Sequence, residues 1–446
     1  MNKKLVIFEL NECDFSYFIY GAKRFKFPEI EKFLKNKKIT KSFTKDKIEG
    51  LNLDPWVQWV SVHTGINSKK HKILRTGQSL KKNVSQVWET LGLENSSVGL
   101  WGLFNSKYRN KKIINFYYPD PWNYNESAFP KSLNSYLMLP RYYAMNYPNI
   151  SKFKIFLSAL IFIKKILFTK TSIYLLKNFF NFLKIFQKAK LKSFNLYFFL
   201  DLISLCIIKN KLLNKNINFL IIGLNSFAHY QHNYWDNKNN EYFYFWYLNE
   251  MVKIMNEIEK NFESSIIFNG FSQKKIISEF AIRPSNYENL LYDLDIKFKK
   301  INLNMTTGAY IYFNNNSNKY KAIKKLSSLC IHNTNLFFIE DYKNKKKLFV
   351  KFNLTFRKND IDFILKTKKS IKSVYNTNSQ SYNLNENKNL IRKILSQCIF
   401  LKSTSKHTKT GLMYSKNFFN KKNFVRRIEN HKIYNQIIKF FNKKYA

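Results

Sequence analysis

Four short apolar runs, each followed by a polar turn or a helix-like segment, most constrain what this chain can fold into. They are LVIFEL (5–10), SVGLWGL (97–103), NFLIIGL (218–224) and SSIIFNG (264–270). Strands that are apolar on both faces belong to sheets covered on both sides, and strands that alternate with helices form parallel sheets. The sequence therefore predicts an α/β fold with a mainly parallel central sheet sandwiched by helices.

Glycine and proline divide the chain into regions. Seven of the eight prolines lie at or before Pro148, and no glycine occurs between Gly102 and Gly223. From Ser151 to about Leu213, apolar residues are broken every three or four positions by Lys, a pattern typical of amphipathic helices. We therefore predict three regions: a first part of the α/β core (1–130), a helical insertion that caps it (131–215) and a second part of the core (216–446).

Charge alone does not identify a partner. The formal net charge is +47, from 76 Lys and Arg against 29 Asp and Glu. The basic residues are mostly Lys, spread from residue 3 to residue 444 together with heavy use of Asn, Ile, Phe and Tyr, which is typical of an A/T-rich genome. Proteins that read nucleic acid concentrate their basic residues on one face or arm. We therefore expect no nucleic-acid partner, while 45% hydrophobic residues exclude general disorder.

The cysteines and the N-terminal residues favour a reduced compartment. The four cysteines are far apart, with no CxxC spacing, so neither a zinc knuckle nor a disulfide framework is indicated. Glu9 and Glu12 interrupt the first apolar run, which is unlike a signal peptide. We expect a cytoplasmic protein. An alternative places it at the inner face of the membrane, if the Lys-flanked helices in 151–190 bind anionic lipid.

The histidines are the first candidates for chemistry. His229 and His232 follow a predicted strand at i, i+3 spacing, which suits two metal ligands but also occurs by chance. His407 lies in a polar loop just before a glycine and a strand. His63 and His71 lie eight residues apart at the end of a Trp-rich helix, where packing or capping is the more ordinary role. The spacing leaves a metal-ligand role and a chance occurrence both open for His229 and His232, and a lone histidine in the position of His407 is ordinarily a surface residue.

Three asparagines each stand just past a predicted strand. They are Asn11, Asn225 and Asn269. Ligands of open parallel sheets bind beyond the carboxyl ends of the strands, so these side chains are expected to face one crevice. The chain contains no GxGxxG, P-loop or GxSxG motif, so the usual dinucleotide, nucleotide and serine-hydrolase signals are missing.

Taken in chain order, five short motifs resemble the alkaline phosphatase superfamily, and most closely its type I phosphodiesterase/nucleotide pyrophosphatase group. The motifs are LNE (10–12), SVHTG (61–65) followed by HKI (71–73), AHYQHNYW (228–235), FNG (268–270) and HTKTGLM (407–413). The resemblance covers 5–103, 218–275 and 400–416. It implies an alkaline-phosphatase-like fold and a metal-dependent phosphoryl-transfer site.

The resemblance also implies an altered metal site. The family's first-strand Asp corresponds to Asn11, for which Glu9 or Glu12 could compensate. The Asp of the family's DxxxH motif corresponds to Ala228, while its His is His232. The family's DHG becomes Asn269-Gly270-Phe271. The late family histidine matches His407.

Too few carboxylates remain at these positions for two metal ions. The resemblance therefore implies one divalent ion, Zn²⁺ or Mn²⁺, with the second metal site lost. Its candidate ligands are His229, His232, His407, Asn11, Glu9 and Asn269.

The family's nucleophilic hydroxyl corresponds to the neighbourhood of Asp54 and Pro55, where no hydroxyl stands. Asp54 could act as a base or as an acyl-phosphate nucleophile; the alternative is an N-cap with Pro55 at the first helical position. Gln58 and His63 are further catalytic candidates. Trp56 and Trp59 offer flat faces for a carbohydrate or nucleoside, or are core residues. With His71, Asn225 and Gln273 they make up the candidate substrate-binding set.

The predicted function is that of a divergent metal-dependent phosphoesterase or phosphodiesterase-like hydrolase, or of a phospho- or sulfo-group transferase. Its substrate would be a small molecule or glycan that carries phosphate or sulfate, and the resemblance suggests bacterial surface-polysaccharide metabolism. One alternative is a catalytically inactive binding module of the same fold. Another is a protein that associates with a membrane surface through the helices in 151–190.

Overall fold

The computed structural model describes residues 3–46, 53–78, 80–81, 83–91, 97–109, 112–146, 151–167, 169–188, 193–213, 216–304, 307–331, 334–343, 345–353, 355–357, 388–419 and 424–441. The chain forms two compact units. The first comprises Met1–Ala144, Lys152–Lys275 and Ser405–Ala446, and the second comprises Met145–Ser151 and Ile276–Thr404. Within the described residues, no helix is long and apolar enough to cross a membrane.

The strands and helices are numbered in chain order. The strands are β1 (Leu5–Leu10), β2 (Lys38–Phe43), β3 (Val98–Leu103), β4 (Ile114–Pro119), β5 (Phe219–Leu224), β6 (Ser264–Phe268), β7 (Gln273–Pro284), β8 (Lys300–Leu303), β9 (Gly308–Tyr312), β10 (Cys330–Ile331), β11 (Thr334–Asn335), β12 (Phe337–Asp341), β13 (Lys347–Phe352), β14 (Thr355–Arg357), β15 (Cys398–His407), β16 (Thr410–Lys416) and β17 (Arg427–Glu429). The helices are α1 (Phe15–Phe25), α2 (Pro28–Leu34), α3 (Pro55–Thr64), α4 (Ser68–His71), α5 (Val87–Leu91), α6 (Asn134–Asn146), α7 (Lys152–Ile166), α8 (Lys170–Lys177), α9 (Phe179–Lys188), α10 (Ser193–Ile207), α11 (Ser226–Tyr234), α12 (Glu241–Glu259), α13 (Tyr287–Asp293), α14 (Asn316–Ser327), α15 (Lys388–Ser396) and α16 (Ile433–Phe441).

The first unit is built on an eight-stranded sheet in the order β17-β2-β16-β6-β1-β5-β3-β4. The five strands from β6 to β4 are parallel, whereas β16 runs antiparallel to both of its neighbours. The predicted mainly parallel α/β sheet is therefore confirmed. The four apolar runs that predicted it are β1, β3, β5 and β6.

The register of the central strands sets the position of the site. Leu10 at the end of β1 pairs with Leu224 at the end of β5, and Glu9 pairs with Phe268 at the end of β6. The three strands therefore end at the same edge of the sheet. The residues that follow them, including Asn11 and Asn225, emerge side by side.

Helices cover both faces of this sheet. On β1, Val6, Phe8 and Leu10 face a large apolar core shared with α1, α2, α10 and α12. Because side chains alternate along a strand, Glu9 faces the other side, where it contacts His63 of α3. Helices α5 and α16 lie on the α3 side with it.

Two glycines allow β3 and β5 to approach closely near their ends. Gly102 has a φ of 71°, and a Cβ placed on it would lie 2.6 Å from the carbonyl oxygen of Gly223. A Cβ on Gly223 would in turn lie 2.7 Å from the carbonyl oxygen of Gly102. No other residue fits this crossing without moving backbone atoms.

The segment between β4 and β5 is helical. It contains α6 to α10 and a π-helical turn at Ile208–Leu212. Phe162 and Ile166 of α7 and Phe198 and Leu202 of α10 are buried in the same core as the sheet. The region limits 1–130, 131–215 and 216–446 stay a prediction.

The second unit has its own core. The antiparallel strands β12, β13, β9 and β8 form a four-stranded sheet, and β14 pairs with β7. Its buried residues come from these strands and from α13, α14 and α15. Strands β7 and β15 connect the two units along the chain.

Candidate metal centre

Three side chains of the first unit converge on one point beyond the end of β1. The Glu12 Oε2 atom lies 2.8 Å from His232 Nε2 and 2.8 Å from His407 Nε2, and the two imidazole nitrogens are 3.2 Å apart. Among the described residues, this is the group of three His, Cys, Asp or Glu side chains whose ligand atoms could hold one metal ion.

The three side chains come from three different parts of the fold. Glu12 follows β1 with a left-handed backbone, φ 58°, and its N–H donates to the carbonyl of Asn269 at 3.1 Å. A non-glycine residue with positive φ is strained by about 1 kcal/mol, so neighbouring contacts must hold it there. His232 lies on α11, which begins directly after β5, and His407 is the last residue of β15.

A second layer of hydrogen bonds orients the three side chains. Ser405 Oγ donates to Gln273 Oε1 and lies 3.2 Å from His232 Nδ1, so the His232 Nδ1–H donates to the serine. The Gln273 side-chain amide donates to Glu12 Oε2. His407 donates to the backbone of Leu53. Both histidines therefore turn Nε2 towards Glu12, as histidines with an oriented second nitrogen do at metal sites.

The electrostatics favour an anionic Glu12. Burial raises the pKa of the Glu12 carboxyl, but the charges and hydrogen bonds of His407 and His232 outweigh burial and hold that pKa well below its usual range. For His407 burial lowers the pKa, and Glu12 together with Asp54 raises it above the usual value. The cluster is thus a carboxylate that compensates imidazole or metal charge.

The donor set fits a small divalent cation. Two ligands held about 2.0–2.1 Å from a tetrahedral zinc ion stand about 3.3 Å apart, so the observed separations need only a small outward movement. Two histidines and one carboxylate are a common set of protein ligands that leaves a coordination position open. Ala228, where the resemblance expects a carboxylate, is buried and has no donor atom, and Glu12 supplies the carboxylate from the other side.

Asn11 forms the centre of a network of amides beside this cluster. Its Nδ2 donates to Asn225 Oδ1 at 2.7 Å and to Glu12 Oε1 at 3.2 Å, and its Oδ1 accepts from Trp59 Nε1 at 2.8 Å. The Asn225 amide lies 3.3 Å from His229 Nε2. Asn11 and Asn225 therefore lie side by side beyond β1 and β5, as amides that bond to each other.

Asn269 bridges backbone segments. Its Nδ2 donates to the Cys13 carbonyl at 2.7 Å, and its Oδ1 accepts from the Leu412 N–H at 2.9 Å. Both polar ends of the side chain thus bind main chain, joining the turn after β1 to β16. The structure does not bring Asn269 into the group of three.

His229 also stays outside the group of three. Its ring stacks on Tyr197 of α10, with centroids 3.8 Å apart and planes 6° apart. Burial, and next the charge of His232, lower the pKa of His229 to about 4. His229 is therefore a neutral ring beside the group of three, and Asn225 is its hydrogen-bonding neighbour.

Glu9 and His63 form a separate pair on the α3 side of the sheet. His63 Nε2 lies 2.6 Å from Glu9 Oε1, and both side chains are buried. Trp59 stacks against the His63 ring, and Trp88 contacts it edge-on. This pair links β1 to α3 and does not extend to Glu12.

Gln58 and His71 belong to a cluster around Asp46. Gln58 Nε2 donates to Asp46 Oδ2 at 3.1 Å. His71 Nε2 lies 3.1 Å from Ser61 Oγ, and His71 Nδ1 accepts from the Ile73 N–H. Burial lowers the pKa of His71 to about 4 despite the Asp46 charge. The structure places both residues where they tie α3 to the following turn.

The N-terminus of α3 carries the remaining candidates. Asp54 occupies the N-cap position with Pro55 behind it, yet its side chain makes no capping hydrogen bond. Its negative charge is close enough to His407 to raise the pKa of that imidazole. Trp56 and Trp59 are both buried, and the Trp56 Nε1 donates to the Leu74 carbonyl.

Sequence reasoning identified most of the cluster and missed part of its support. Glu12 entered only as a substitute for Asn11, and Ser405 was not singled out. Ser405 stands two residues before His407 on β15, so the period of two would have placed both side chains on one face. Tyr197 and Asp46 had no sequence signal.

Several solved structures are similar to this one. The alkaline phosphatase of the Antarctic bacterium TAB5 is 11% identical with a TM-score of 0.41, covering 100% of this chain and 99% of its own. Murine ectonucleotide pyrophosphatase/phosphodiesterase 5 is 9% identical with a TM-score of 0.45, covering 99% and 95%. The phosphonoacetate hydrolase of Sinorhizobium meliloti 1021 is 8% identical with a TM-score of 0.40, covering 98% and 96%.

No protein-family model and no curated protein sequence matches the chain. The chemistry of this protein therefore has to follow from its own residues.

Proposed function

We propose that this chain holds one divalent metal ion, Zn²⁺ or Mn²⁺, through Glu12, His232 and His407. We propose further that it hydrolyses or transfers a phosphate or sulfate ester with it. The convergence of three ligand atoms within hydrogen-bonding distance of one another carries the proposal. When bound, such an ion would polarise the ester oxygen or acidify a water molecule.

The N-terminus of α3 brings a carboxylate close to the cluster. Asp54 stands at that terminus with its charge close to His407, so it is placed to accept a proton from an attacking water or hydroxyl group. Asn225 is half-buried at the same strand edge and is the amide there that can bind an ester oxygen, because Asn11 already uses both ends of its amide.

We propose a single metal ion because Asn11 and Asn269, which the resemblance aligns with metal-ligand positions of the family, have neutral side chains. Asn11 uses its amide in hydrogen bonds to Asn225, Glu12 and Trp59, and Asn269 uses both of its polar atoms on the main chain. Neither residue offers the carboxylate that a second divalent ion requires. The substrate we propose is a small molecule or glycan that bears phosphate or sulfate, in line with a role in surface-polysaccharide metabolism.

Metal stoichiometry tests the proposal directly. The purified protein should carry about one zinc or manganese ion per chain, and a His232→Ala/His407→Ala variant should carry none. His431→Ala is the matched control, because His431 is partly buried and pairs with Glu429 away from the cluster. Loss of metal from the control as well would contradict the assignment.

Ester hydrolysis is the second measurement. Aryl phosphate monoesters, diesters and aryl sulfates should be cleaved by the metal-loaded protein, and Asp54→Asn should lower kcat while leaving metal content unchanged. Metal binding without cleavage of any of these esters would support the proposed metal site and contradict the proposed hydrolase activity.

A non-catalytic binding module is the second candidate function. The neutral residues Asn11, Ala228 and Asn269, and the lack of a hydroxyl at Asp54 and Pro55, favour it. A triple variant distinguishes the binding module from the enzyme: Asn11→Asp, Ala228→Asp and Asn269→Asp. If the wild-type protein binds no metal and this variant does, the site is one that has decayed. An Asn11→Asp/Ala228→Asp variant is the necessary companion, because Asn269 also holds the main chain together.

A further inference from the structure

Helices α7, α8 and α9 of the first unit carry several large apolar side chains that are exposed to solvent. On α7, Phe153 is 69% exposed and Phe156 is 59% exposed. On α8 and α9, Leu176 is 71% exposed and Phe180 is 81% exposed. Isolated exposed apolar residues are ordinary, but large ones repeated along neighbouring helices mark an interaction surface.

Helix α7 is apolar on two opposite faces. Its inner face packs against the core of the sheet through Phe162 and Ile166. Its outer face has a stripe at helical spacing, and every member is exposed: Phe153, Phe156, Leu160, Ile163 and Leu167. A helix with apolar residues on more than one face is normally covered on each of them, and within the described part of the chain these five side chains are left exposed.

A second stripe continues along α8 and α9. Ile173, Leu176, Phe180 and Leu183 follow one another at intervals of three or four residues, and all are exposed. Within each helix, the spacing of three residues puts its two members on one side. We call these four residues and the five of α7 the outer stripe.

The charge around the outer stripe is of one sign. The sequence contains no Asp or Glu between Glu126 and Asp201, whereas it contains twelve Lys and Arg residues there. Lys152, Lys164 and Lys170 are exposed beside the stripe. The rest of the chain does contain acidic residues, so this stretch of pure positive charge is local.

We propose that the outer stripe docks onto an anionic lipid surface, lying in the plane of the membrane. Phe, Leu and Ile side chains enter the boundary between headgroups and acyl chains, and the flanking lysines meet lipid phosphates. A second copy of the chain fits this surface poorly, because two identical faces of this charge repel each other. Docking of this kind would hold the metal-bearing unit at a membrane, and it does not depend on the proposed ester chemistry.

Vesicle binding of the full chain tests the proposal. The protein should co-sediment with phosphatidylcholine vesicles that contain phosphatidylglycerol, and much less with pure phosphatidylcholine. High salt should weaken the binding. Hydrogen exchange should slow in peptides from α7 and α8 when anionic vesicles are added. Equal binding to both vesicle types, or none to either, would overturn the proposal.

Two sets of variants locate the surface. Phe153→Ser/Phe156→Ser/Leu160→Ser and Lys152→Glu/Lys164→Glu/Lys170→Glu should each weaken binding to anionic vesicles about tenfold or more. Matched controls make the same changes at exposed positions elsewhere: Ile39→Ser/Ile277→Ser/Tyr292→Ser and Lys321→Glu/Lys324→Glu/Lys343→Glu.

The remaining results are also decisive. Circular dichroism should show that all four variants keep the wild-type fold, since each changed side chain is exposed. Controls that lose binding as much as the stripe variants would overturn the proposal in favour of a diffuse attraction of the whole basic chain. So would a concentration-dependent dimer that the serine variant dissolves and that binds no vesicles.

Discussion

At the scale of single residues, the candidate site depends on which residue supplies its carboxylate. The carboxylate that the resemblance expects at residue 228 is absent, and Glu12 brings one to the same two histidines from the turn after β1. The left-handed backbone of Glu12 and the hydrogen bond from Gln273 fix its direction.

The supporting residues should control metal affinity. We expect Gln273→Ala and Ser405→Ala each to weaken zinc affinity about 10- to 100-fold, because each removes a hydrogen bond that orients Glu12 or His232. Competition with a chromophoric chelator measures the change. Gln187→Ala, at an exposed position of α9, should leave the affinity unchanged. Wild-type affinity in both site variants would show that this second layer is not needed.

A second residue-scale prediction concerns the buried Asp120, which follows β4. Burial is the largest influence on its pKa and raises it from 3.8 to about 7, against the hydrogen bond from Trp122 and the charge of Arg141. The folded state therefore holds this proton more tightly than the unfolded state does. Stability is retained below about pH 4 and is lost as the pH rises towards 7, by about 4 kcal/mol in total for this group.

Asp120→Asn should remove that loss. Its free energy of unfolding should exceed that of the wild type at pH 8 by a few kcal/mol, and the two should approach each other at pH 5. Urea unfolding at the two pH values measures both. Glu31→Gln, at an exposed position of α2, should leave the pH dependence as it is. An unchanged difference between pH 5 and pH 8 in Asp120→Asn would contradict the assignment.

At the scale of elements, the site depends on how closely the parallel strands pack. The strands β1, β5 and β6 end together, and the segments after them carry Glu12, Asn225 and Asn269 to one edge. Helix α3 approaches this edge from the other face and contributes Asp54 and Trp59. The crossing of β3 and β5 keeps the sheet compact beside it.

Gly102→Ala should therefore destabilise the protein strongly. The substitution adds a Cβ that would lie 2.6 Å from a backbone oxygen and also strains a φ of 71°. We expect a loss of about 3 kcal/mol or more in urea unfolding. Gly77→Ala shares the positive φ, 73°, but its nearest neighbour is 3.2 Å away, and about 1 kcal/mol is expected. Equal losses would show that the strand contact is unimportant.

At the scale of the whole molecule, the site lies in one of the two units. The three residues of the candidate site come from sequence positions 12, 232 and 407, so the first unit must fold before they meet. Binding of the proposed ion would therefore be linked to the folding of this unit. An ion that binds only the folded state stabilises it by about 2.7 kcal/mol when its concentration is one hundred times its Kd.

Thermal unfolding should report this linkage. Zinc or manganese should raise the Tm of the metal-free protein, and a chelator should reverse the rise. In Glu12→Gln, the same additions should leave the Tm unchanged, because the amide cannot replace the anionic ligand. A rise in Glu12→Gln equal to that of the wild type would place the ion elsewhere.

The sequence by itself determined the kind of sheet. Apolar runs at β1, β3, β5 and β6 are suited to burial on both faces, which is why a mainly parallel sheet was predictable. His232 was a candidate ligand from its spacing to His229 after a strand, whereas His407 was one only through the resemblance. Local pattern therefore predicts the sheet and points to one of the two histidines.

Only the tertiary structure decided which residues lie against His232 and His407 in the candidate site. Glu9 and Glu12 are three residues apart on one segment, yet Glu9 faces His63 and Glu12 faces the cluster, because β1 ends and its backbone turns between them. His229 and His232 share a helix, but only His232 reaches Glu12, while Tyr197 holds His229 aside. Such choices depend on distances between segments far apart in sequence, which no local pattern contains.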